Sequence, residues 1–242
     1  MIGFGIDLAG YTTGKTSLAV IEIEGLAAKA TLLRDSALSA KRKSGDALRE
    51  VLSQEVAVLR RCLAVGPVAV DVPIDPQGLP NADRAEYIWQ LTRRPIDQAM
   101  NAMPPFADRI GAPVARFAAI MREGGFAGLL GEKLFEAYPA GTLKMRKIEA
   151  RRYKGAKGLK ALISLCTTLK IEPRVENDDD IDAIICAITA AAPGDAVYDA
   201  AALKVQGPMP KGFRIPKSIS FTRIGVEVAQ FDVWMAARGG SQ

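Results

Sequence analysis

The stretch that decides the fold is Ile2-Gly3-Phe4-Gly5-Ile6-Asp7-Leu8, at the start of the chain. It predicts a short β-strand that ends near a carboxylate, and its two glycines permit a neighbouring backbone or a ligand to approach closely. Residues 16–24 and 28–38 are rich in apolar and β-branched side chains and follow after tight turns. Three short strands joined in this way predict an antiparallel meander.

The rest of the pattern predicts alternating helices and strands. Apolar residues at helical spacing over 46–63 predict a helix, and the apolar run over 68–73 predicts a buried strand. A further strand is expected over 134–137, followed by helices over 158–169 and 180–192. This order predicts an α/β domain built on a mixed five-stranded sheet that is flanked by helices.

Residues 81–131 differ in character, because Arg93-Arg94-Pro95, Met103-Pro104-Pro105 and Gly124-Gly125 interrupt their helical stretches. We expect a mostly helical insertion there, over one edge of the sheet. The principal domain is expected to span residues 1–192. Residues 193–242 are expected to form a C-terminal extension that packs on the same domain.

Composition excludes several kinds of active site. The 242 residues include no histidine, which removes Ser-His and Cys-His triads, His-based zinc sites and histidine proton shuttles. The three cysteines lack C-x-x-C spacing, which favours reduced thiols and a cytoplasmic location. No apolar run reaches the length of a membrane span, and no secretory signal is expected. Catalysis would therefore depend on carboxylates, lysine, tyrosine, hydroxyls, thiols or a bound metal.

The segment Ala9-Gly-Tyr-Thr-Thr-Gly-Lys-Thr16 nearly matches a phosphate-binding P-loop. Such a loop works because it opens a helix whose N-terminal amides face the phosphates. The residues that follow predict a strand instead, so the pattern favours a hairpin turn. Lys15 could still contact phosphate from that turn.

Isolated carboxylates occur in three apolar strands, at Asp7, Asp71 and Glu136. A single carboxylate in such a strand is usually a strand-end group or half of an ion pair, because burying an unpaired charge costs several kcal/mol. Three of them in three strands favour a shared site.

A fourth acidic group is Asn177-Asp178-Asp179-Asp180-Ile181-Asp182-Ala183, at the start of a predicted helix. Part of it is explained by N-capping and by the helix dipole. Asp179 and Asp182 lie three residues apart and so share one helical face. For this pair, capping and cation binding both remain open.

Basic residues flank the acidic groups. Between Lys144 and Lys160 there are eight basic residues and one acid, Glu149, and residues 200–226 contain five basic residues and no acid. A solvated face is the ordinary explanation of such runs. Beside an acidic cluster, basic flanks suit a polyanion such as nucleic acid, because Lys and Arg displace the counterions of phosphates.

Five motifs follow one another in the chain: Gly5-Ile6-Asp7, Val70-Asp71-Val72-Pro73, Phe-Glu-Ala-Tyr-Pro-Ala-Gly-Thr-Leu-Lys at 135–144, Tyr153-Lys154-Gly155, and Asp-Asp-Asp-Ile-Asp-Ala at 178–183. Over roughly residues 1–192 the chain resembles the domain-of-unknown-function family 429, whose members are described as predicted nucleases with an RNase H-like fold. The acids on the first and fourth strands and on the last helix are similar to those of the Holliday-junction resolvase branch of the RNase H superfamily.

Together, the residues and the resemblance predict an RNase H-like nuclease that hydrolyses phosphodiester bonds of DNA or RNA with Mg²⁺ or Mn²⁺. The expected metal ligands are Asp7, Asp71, Asp179 and Asp182. Glu136 is expected to be a further ligand or to position the attacking water. The expected phosphate contacts are Lys15, Arg93, Arg94, Arg152 and Lys154.

Two alternatives remain open at the level of sequence. One is a nucleotide-binding phosphotransferase of the actin-like fold, in which Asp7 and the turn over 9–16 hold phosphates. That fold needs a second β-β-β-α unit, which the sequence does not show. The other is a non-catalytic nucleic-acid-binding protein on a nuclease scaffold.

Overall fold

The computed structural model describes residues 1–11, 15–39, 47–74, 94–103, 110–149, 152–155, 158–192, 210, 212–216 and 219–239. The strands in these residues are β1 (Ile2–Asp7), β2 (Ser17–Glu24), β3 (Ala27–Arg34), β4 (Val68–Val70), β5 (Leu134–Glu136) and β6 (Arg223–Gln230). The α-helices are α1 (Leu48–Val65), α2 (Pro95–Met100), α3 (Gly111–Gly124), α4 (Pro139–Met145), α5 (Leu159–Thr168), α6 (Asp178–Ala191) and α7 (Phe231–Ala236). Short 3-10 helices span Ala37–Ser39 and Phe126–Leu129.

The described strands form one mixed sheet in the order β5-β4-β1-β2-β3-β6. The expected antiparallel meander is made by β1, β2 and β3, and β4 lies parallel to β1. β5 pairs parallel to β4, and β6 pairs parallel to β3 over the full length of both. The α/β class and the mixed sheet flanked by helices are confirmed. The count of five strands is wrong, because β6 from the C-terminal extension hydrogen-bonds to the outer edge of β3.

Side-chain alternation along the strands divides the core into two layers. Phe4 and Ile6 of β1 pack in a cluster with α1 and α3. Ala19 and Ile21 of β2 pack in a second cluster with α5 and α6 on the opposite face. Successive residues of a strand point to opposite faces. Odd-numbered positions of β1 and β2 therefore face α6, and even-numbered positions face α1 and α3.

Helix α6 lies directly against β1, backbone to backbone. A Cβ atom on Gly5 would collide with the carbonyl oxygen of Ala183 and the amide nitrogen of Ala187. A Cβ atom on Gly3 would stand 2.8 Å from the Cα of Ala191. The three alanines recur every four residues and so share one face of the helix. Two glycines on the strand and three alanines on the helix thus remove the side-chain layer that usually separates a helix from a sheet.

The same helix is enclosed on almost every side. The sequence places Asp179 and Asp182 on one face of this helix, but every residue of α6 from 180 to 191 is buried. The sheet covers one side, and Leu162 and Leu165 of α5 pack in the same cluster as the helix. Asp180 and Asp182 therefore need partners inside the protein, because an unpaired buried carboxylate is costly.

The described part of residues 81–131 contributes α2, α3 and the second 3-10 helix, while residues 81–93 and 104–109 lie outside the described residues. Arg116 of α3 is buried and donates hydrogen bonds to Glu55 of α1 at 2.7 Å and to the carbonyl oxygen of Ala9 at 2.6 Å. This buried pair joins α1 and α3 to the turn after β1. No helix in the described ranges is long and apolar enough to cross a membrane.

The close approach of α6 predicts an unequal response of two strand glycines to substitution. Gly5→Ala should lower the free energy of unfolding by about 3 kcal/mol, because backbone atoms of α6 cannot move aside cheaply. Gly225→Ala in β6 is the matched control, since its Cβ would meet nothing within 4 Å, and it should change stability by about 1 kcal/mol or less. Urea denaturation measures both, and equal losses would show that α6 does not rest on β1 as described.

Candidate metal centre

Two of the predicted acids stand at the carboxyl ends of neighbouring parallel strands. Asp7 ends β1, and Asp71 directly follows β4, where its amide donates a hydrogen bond to the carbonyl oxygen of Ile6 at 2.8 Å. Both side chains occupy odd positions of the pleat, on the face covered by α6. The predicted convergence of these two carboxylates is confirmed, since their oxygens lie within 4.8 Å of each other.

The third member of the cluster comes from the helix. Asp182 lies in the first turns of α6 and is 1% exposed. Its carboxylate joins those of Asp7 and Asp71, so that one oxygen from each lies within 4.8 Å of the others. The close packing of α6 on β1 is what brings a helical side chain to the end of the strand. We call these three residues the aspartate cluster.

A short loop over residues 152–155 supplies the polar partners of Asp182. The Tyr153 hydroxyl donates to Asp182 Oδ1 at 2.6 Å, and Lys154 Nζ donates to Oδ2. Arg152 and Gly155 have positive φ angles of 71° and 81°, so the loop is tightly wound. This winding buries the ring of Tyr153 and directs the lysine into the cluster.

Crowding and burial make the aspartate cluster hard to ionise fully. Burial raises the pKa of Asp7 well above its ordinary value, and the neighbouring Asp71 raises it further. Burial also raises the pKa of Asp71 to about 7, against a lowering by Lys154. One lysine thus compensates several carboxylates only in part. A bound divalent cation would supply the missing positive charge.

The other aspartates of α6 have different roles. Asp179 is half-buried and lines the same cleft, but it is not a member of the cluster. Its pKa is raised by burial and by Asp178. Asp180 points away and accepts hydrogen bonds from Arg34 Nη1 at 2.7 Å and from Ser17 Oγ at 2.8 Å. The helix cap is Asn177, whose side chain accepts from the Asp180 amide at 2.9 Å. The structure therefore brings Asp182, and not Asp179, to the predicted ligand position.

Glu136 does not join the aspartate cluster, because the pleat turns it to the other face. It stands in register with Val70, which packs in the α1 and α3 core. Its carboxylate accepts from Arg94 at 2.6 Å and 2.9 Å and from the Ile74 amide at 2.8 Å. Burial raises the pKa of Glu136, and the arginine opposes that rise.

Arg94, which we expected to contact substrate phosphate, is instead held inside the protein. It is 5% exposed, and its guanidinium also donates to both carboxylate oxygens of Asp97, at 2.9 Å and 2.8 Å. The buried trio of Glu136, Arg94 and Asp97 lines the cleft. Because its guanidinium is shared between two carboxylates, Arg94 stabilises the lining of the cleft and does not offer a free pair of N–H donors to a phosphate.

The remaining predicted phosphate contacts are placed differently. Lys15 is exposed and lines the cleft, and Lys154 has half of its side chain exposed. Arg152 is exposed on the loop beside Lys154. Arg93 lies outside the described residues. The turn that carries Lys15 leads into β2, so the helix that a P-loop requires does not follow it.

The aspartate cluster opens into a cleft of about 680 Å³. Acidic and basic side chains line it together with apolar side chains from α2, α3 and the C-terminal extension. Sequence analysis missed the side chains Tyr138 and Phe213 in this cleft. Tyr138 belongs to the 135–144 motif and could have been recognised, whereas nothing near Phe213 in the sequence links it to the acids.

The carboxylates fit a hard divalent cation. Oxygen ligands are those that Mg²⁺, Mn²⁺ and Ca²⁺ prefer, and three aspartates leave positions free for water or substrate. The crowding of three aspartates around one lysine is the observation that supports this fit.

The raised pKa of Asp71 predicts how stability changes with pH in metal-free protein. An acid with a higher pKa in the folded state binds its proton more tightly there, so relative stability falls as pH rises from 3.8 towards about 7. The Asp71→Asn variant has no carboxyl group at this position, so it should not show this fall in stability with rising pH. In EDTA, the thermal midpoint of the variant minus that of the wild type should increase by about 10 °C as the pH rises across this window. Thermal melts across the pH range measure it, and a constant difference would contradict the proposed environment of Asp71.

Comparison with models of known protein families, with curated proteins and with solved structures finds no match for this chain.

Proposed function

We propose that the protein is a divalent-metal-dependent nuclease that hydrolyses phosphodiester bonds in nucleic acid. The observation that carries this proposal is the aspartate cluster, in which three carboxylates from three separate elements lie within 4.8 Å of one another. The ion is Mg²⁺ or Mn²⁺, and the substrate is DNA or RNA.

The proposed hydrolysis uses the residues of the cleft as follows. Asp7, Asp71 and Asp182 hold the cation, which when bound polarises the phosphate and activates water. The water oxygen attacks phosphorus while the bond from phosphorus to the leaving oxygen breaks. We assign to Asp179, which lines the cleft outside the cluster, the role of accepting the proton of the attacking water. The leaving oxygen takes a proton from solvent.

The topology supports an RNase H-like fold for this site. The chain runs through a three-stranded meander and a helix into β4, which pairs parallel to β1. The acids stand at the ends of β1 and β4 and on α6. The carboxyl ends of parallel strands are also where α/β sheets commonly bind ligands.

Charge around the cleft supports a phosphate-bearing substrate. Lys15 and Lys154 line the cleft and remain partly or fully exposed. The net charge of the chain is +5, and the run from 144 to 160 contributes eight basic residues. Such side chains can hold the backbone of a polyanion while the cation acts on one phosphodiester.

The test of this proposal is Asp182→Asn. The amide keeps an oxygen that can accept from Tyr153 but removes the charge that would bind the cation, so Mn²⁺-dependent cleavage should fall by about 100-fold or more. Calorimetric titration should show weaker Mn²⁺ binding by the variant. Asp232→Asn is the matched control, because Asp232 is 77% exposed and pairs with Arg61. Asp180→Asn is unsuitable, since Asp180 holds Arg34 and Ser17.

Equal cleavage by the Asp182 and Asp232 variants would contradict the proposal. A calorimetric titration with ATP and Mg²⁺ distinguishes the nuclease from the phosphotransferase alternative. Tight binding of ATP would favour the phosphotransferase. Nucleic-acid binding that persists in EDTA, with no cleavage in Mn²⁺, would instead support the non-catalytic alternative.

A further inference from the structure

The cleft is lined by two chemically different sets of side chains. One set is charged and comprises the aspartate cluster, Lys15, Lys154 and the ion-paired trio of Glu136, Arg94 and Asp97. The other set is apolar and includes Ile96, Met100, Ala102, Met103, Tyr138 and Phe213. We call these six residues the apolar wall. With a volume of about 680 Å³, the cleft is of the size that holds one small organic ligand.

The apolar wall is assembled from three distant parts of the chain. Ile96 and Met100 belong to α2 and the turn beyond it supplies Met103, while Tyr138 precedes α4. Phe213 comes from the C-terminal extension, where it forms a β-bridge with Glu136. The Glu136 amide donates to the Gly212 carbonyl at 3.0 Å, and the Arg214 amide donates to the Glu136 carbonyl at 2.9 Å. The extension is therefore held against the edge of β5, next to the strand end that faces the cleft.

Ile96 and Met100 of the apolar wall are buried, and the other four residues form its accessible surface. Met103 is 49% exposed, and Tyr138 and Phe213 are each half-buried. Burial and the carboxylates of Asp71 and Asp97 raise the pKa of the Tyr138 hydroxyl, so it stays protonated at neutral pH and can donate a hydrogen bond. An aromatic face, a second aromatic ring with a polar end and a methionine provide the contacts that a flat heterocyclic base requires.

We propose that the apolar wall binds the base of an unpaired nucleotide whose phosphate lies at the aspartate cluster, so that the substrate is single-stranded nucleic acid. This inference rests on the proposed nuclease function. Two groups of lining residues match the two halves of a nucleotide: the lysines and a metal for the phosphate, and the aromatic and thioether groups of the apolar wall for the base.

A duplex fits this arrangement less well. In a duplex the faces of the bases are stacked on one another, and exposing one face requires the nucleotide to leave the helix. Proteins that bind single strands commonly combine a basic track with aromatic side chains on which bases stack. The described cleft has lysines and aromatic side chains in its lining.

The test varies both the nucleic acid, by removing its bases, and the protein, by substituting a residue of the apolar wall. A short single-stranded oligonucleotide is compared with a strand of the same length that has abasic sites throughout and therefore the same phosphates. Affinity is measured by fluorescence anisotropy in Mn²⁺, alongside KM for cleavage. The base-bearing strand should bind about tenfold more tightly than the abasic strand. Phe213→Ala should remove about that factor for the base-bearing strand and leave the abasic strand unchanged.

Two further variants complete this test, one as a second probe of the apolar wall and one as a control. Met103→Ala probes the same wall at a more exposed position, for use if Phe213→Ala lowers the thermal midpoint. Leu26→Ala is the control, because Leu26 is 67% exposed in the turn between β2 and β3 and is not part of the cleft. It should bind both strands as the wild type does.

The outcomes separate this inference from the nuclease proposal. Equal affinity for base-bearing and abasic strands would overturn the single-strand inference, and so would faster cleavage of the same sequence when it is annealed to its complement. Neither result would contradict the proposal that the protein is a nuclease. A base preference that Phe213→Ala removes, with no cleavage of any strand, would support the base-binding wall and contradict the nuclease.

Discussion

The contact between α6 and β1 is the constraint on which the rest of the structure depends. Gly3 and Gly5 leave the strand without side chains on the face where Ala183 and Ala187 of the helix lie. The backbone of the helix can then reach the backbone of the strand, and its first turns come level with the strand end. Any larger side chain at these positions would lift the helix and separate Asp182 from Asp7. Packing and site geometry are therefore set by the same small residues.

Ion pairing distinguishes the buried acids that support the fold from those that could act. Glu55 pairs with Arg116, Asp180 pairs with Arg34, and Glu136 and Asp97 share Arg94. In the aspartate cluster, by contrast, the direct basic partner among the described residues is the single lysine at 154, which contacts Asp182. An arginine in a fixed bidentate pair neutralises a carboxylate permanently. A cluster that lacks such partners leaves its carboxylate oxygens available to a cation, which would supply the missing positive charge.

The C-terminal extension contributes both to the fold and to the cleft. Its strand β6 continues the sheet beyond β3, at the edge opposite the site. Its segment around Phe213 lies instead along β5, at the other edge of the sheet, and contributes to the apolar wall. The C-terminal extension thus contacts both edges of the sheet.

The sequence by itself determined the alternation of strands and helices, the meander and the identity of most of the acids. These features depend on local patterns: apolar periodicity, turns, and carboxylates at the ends of apolar runs. Composition alone also restricted the chemistry, because a chain without histidine has no imidazole to act as a base or as a metal ligand.

Only the tertiary structure decided which acids belong together. Asp179, Asp180 and Asp182 are neighbours in the sequence, yet one lines the cleft, one binds Arg34 and one enters the cluster. Glu136 resembles Asp71 in its local sequence, but the register of β5 with β4 turns it towards Arg94. The physical reason is that partners from distant segments determine whether a buried carboxylate is neutralised by an arginine or left without such a partner. Local patterns contain no information about those partners.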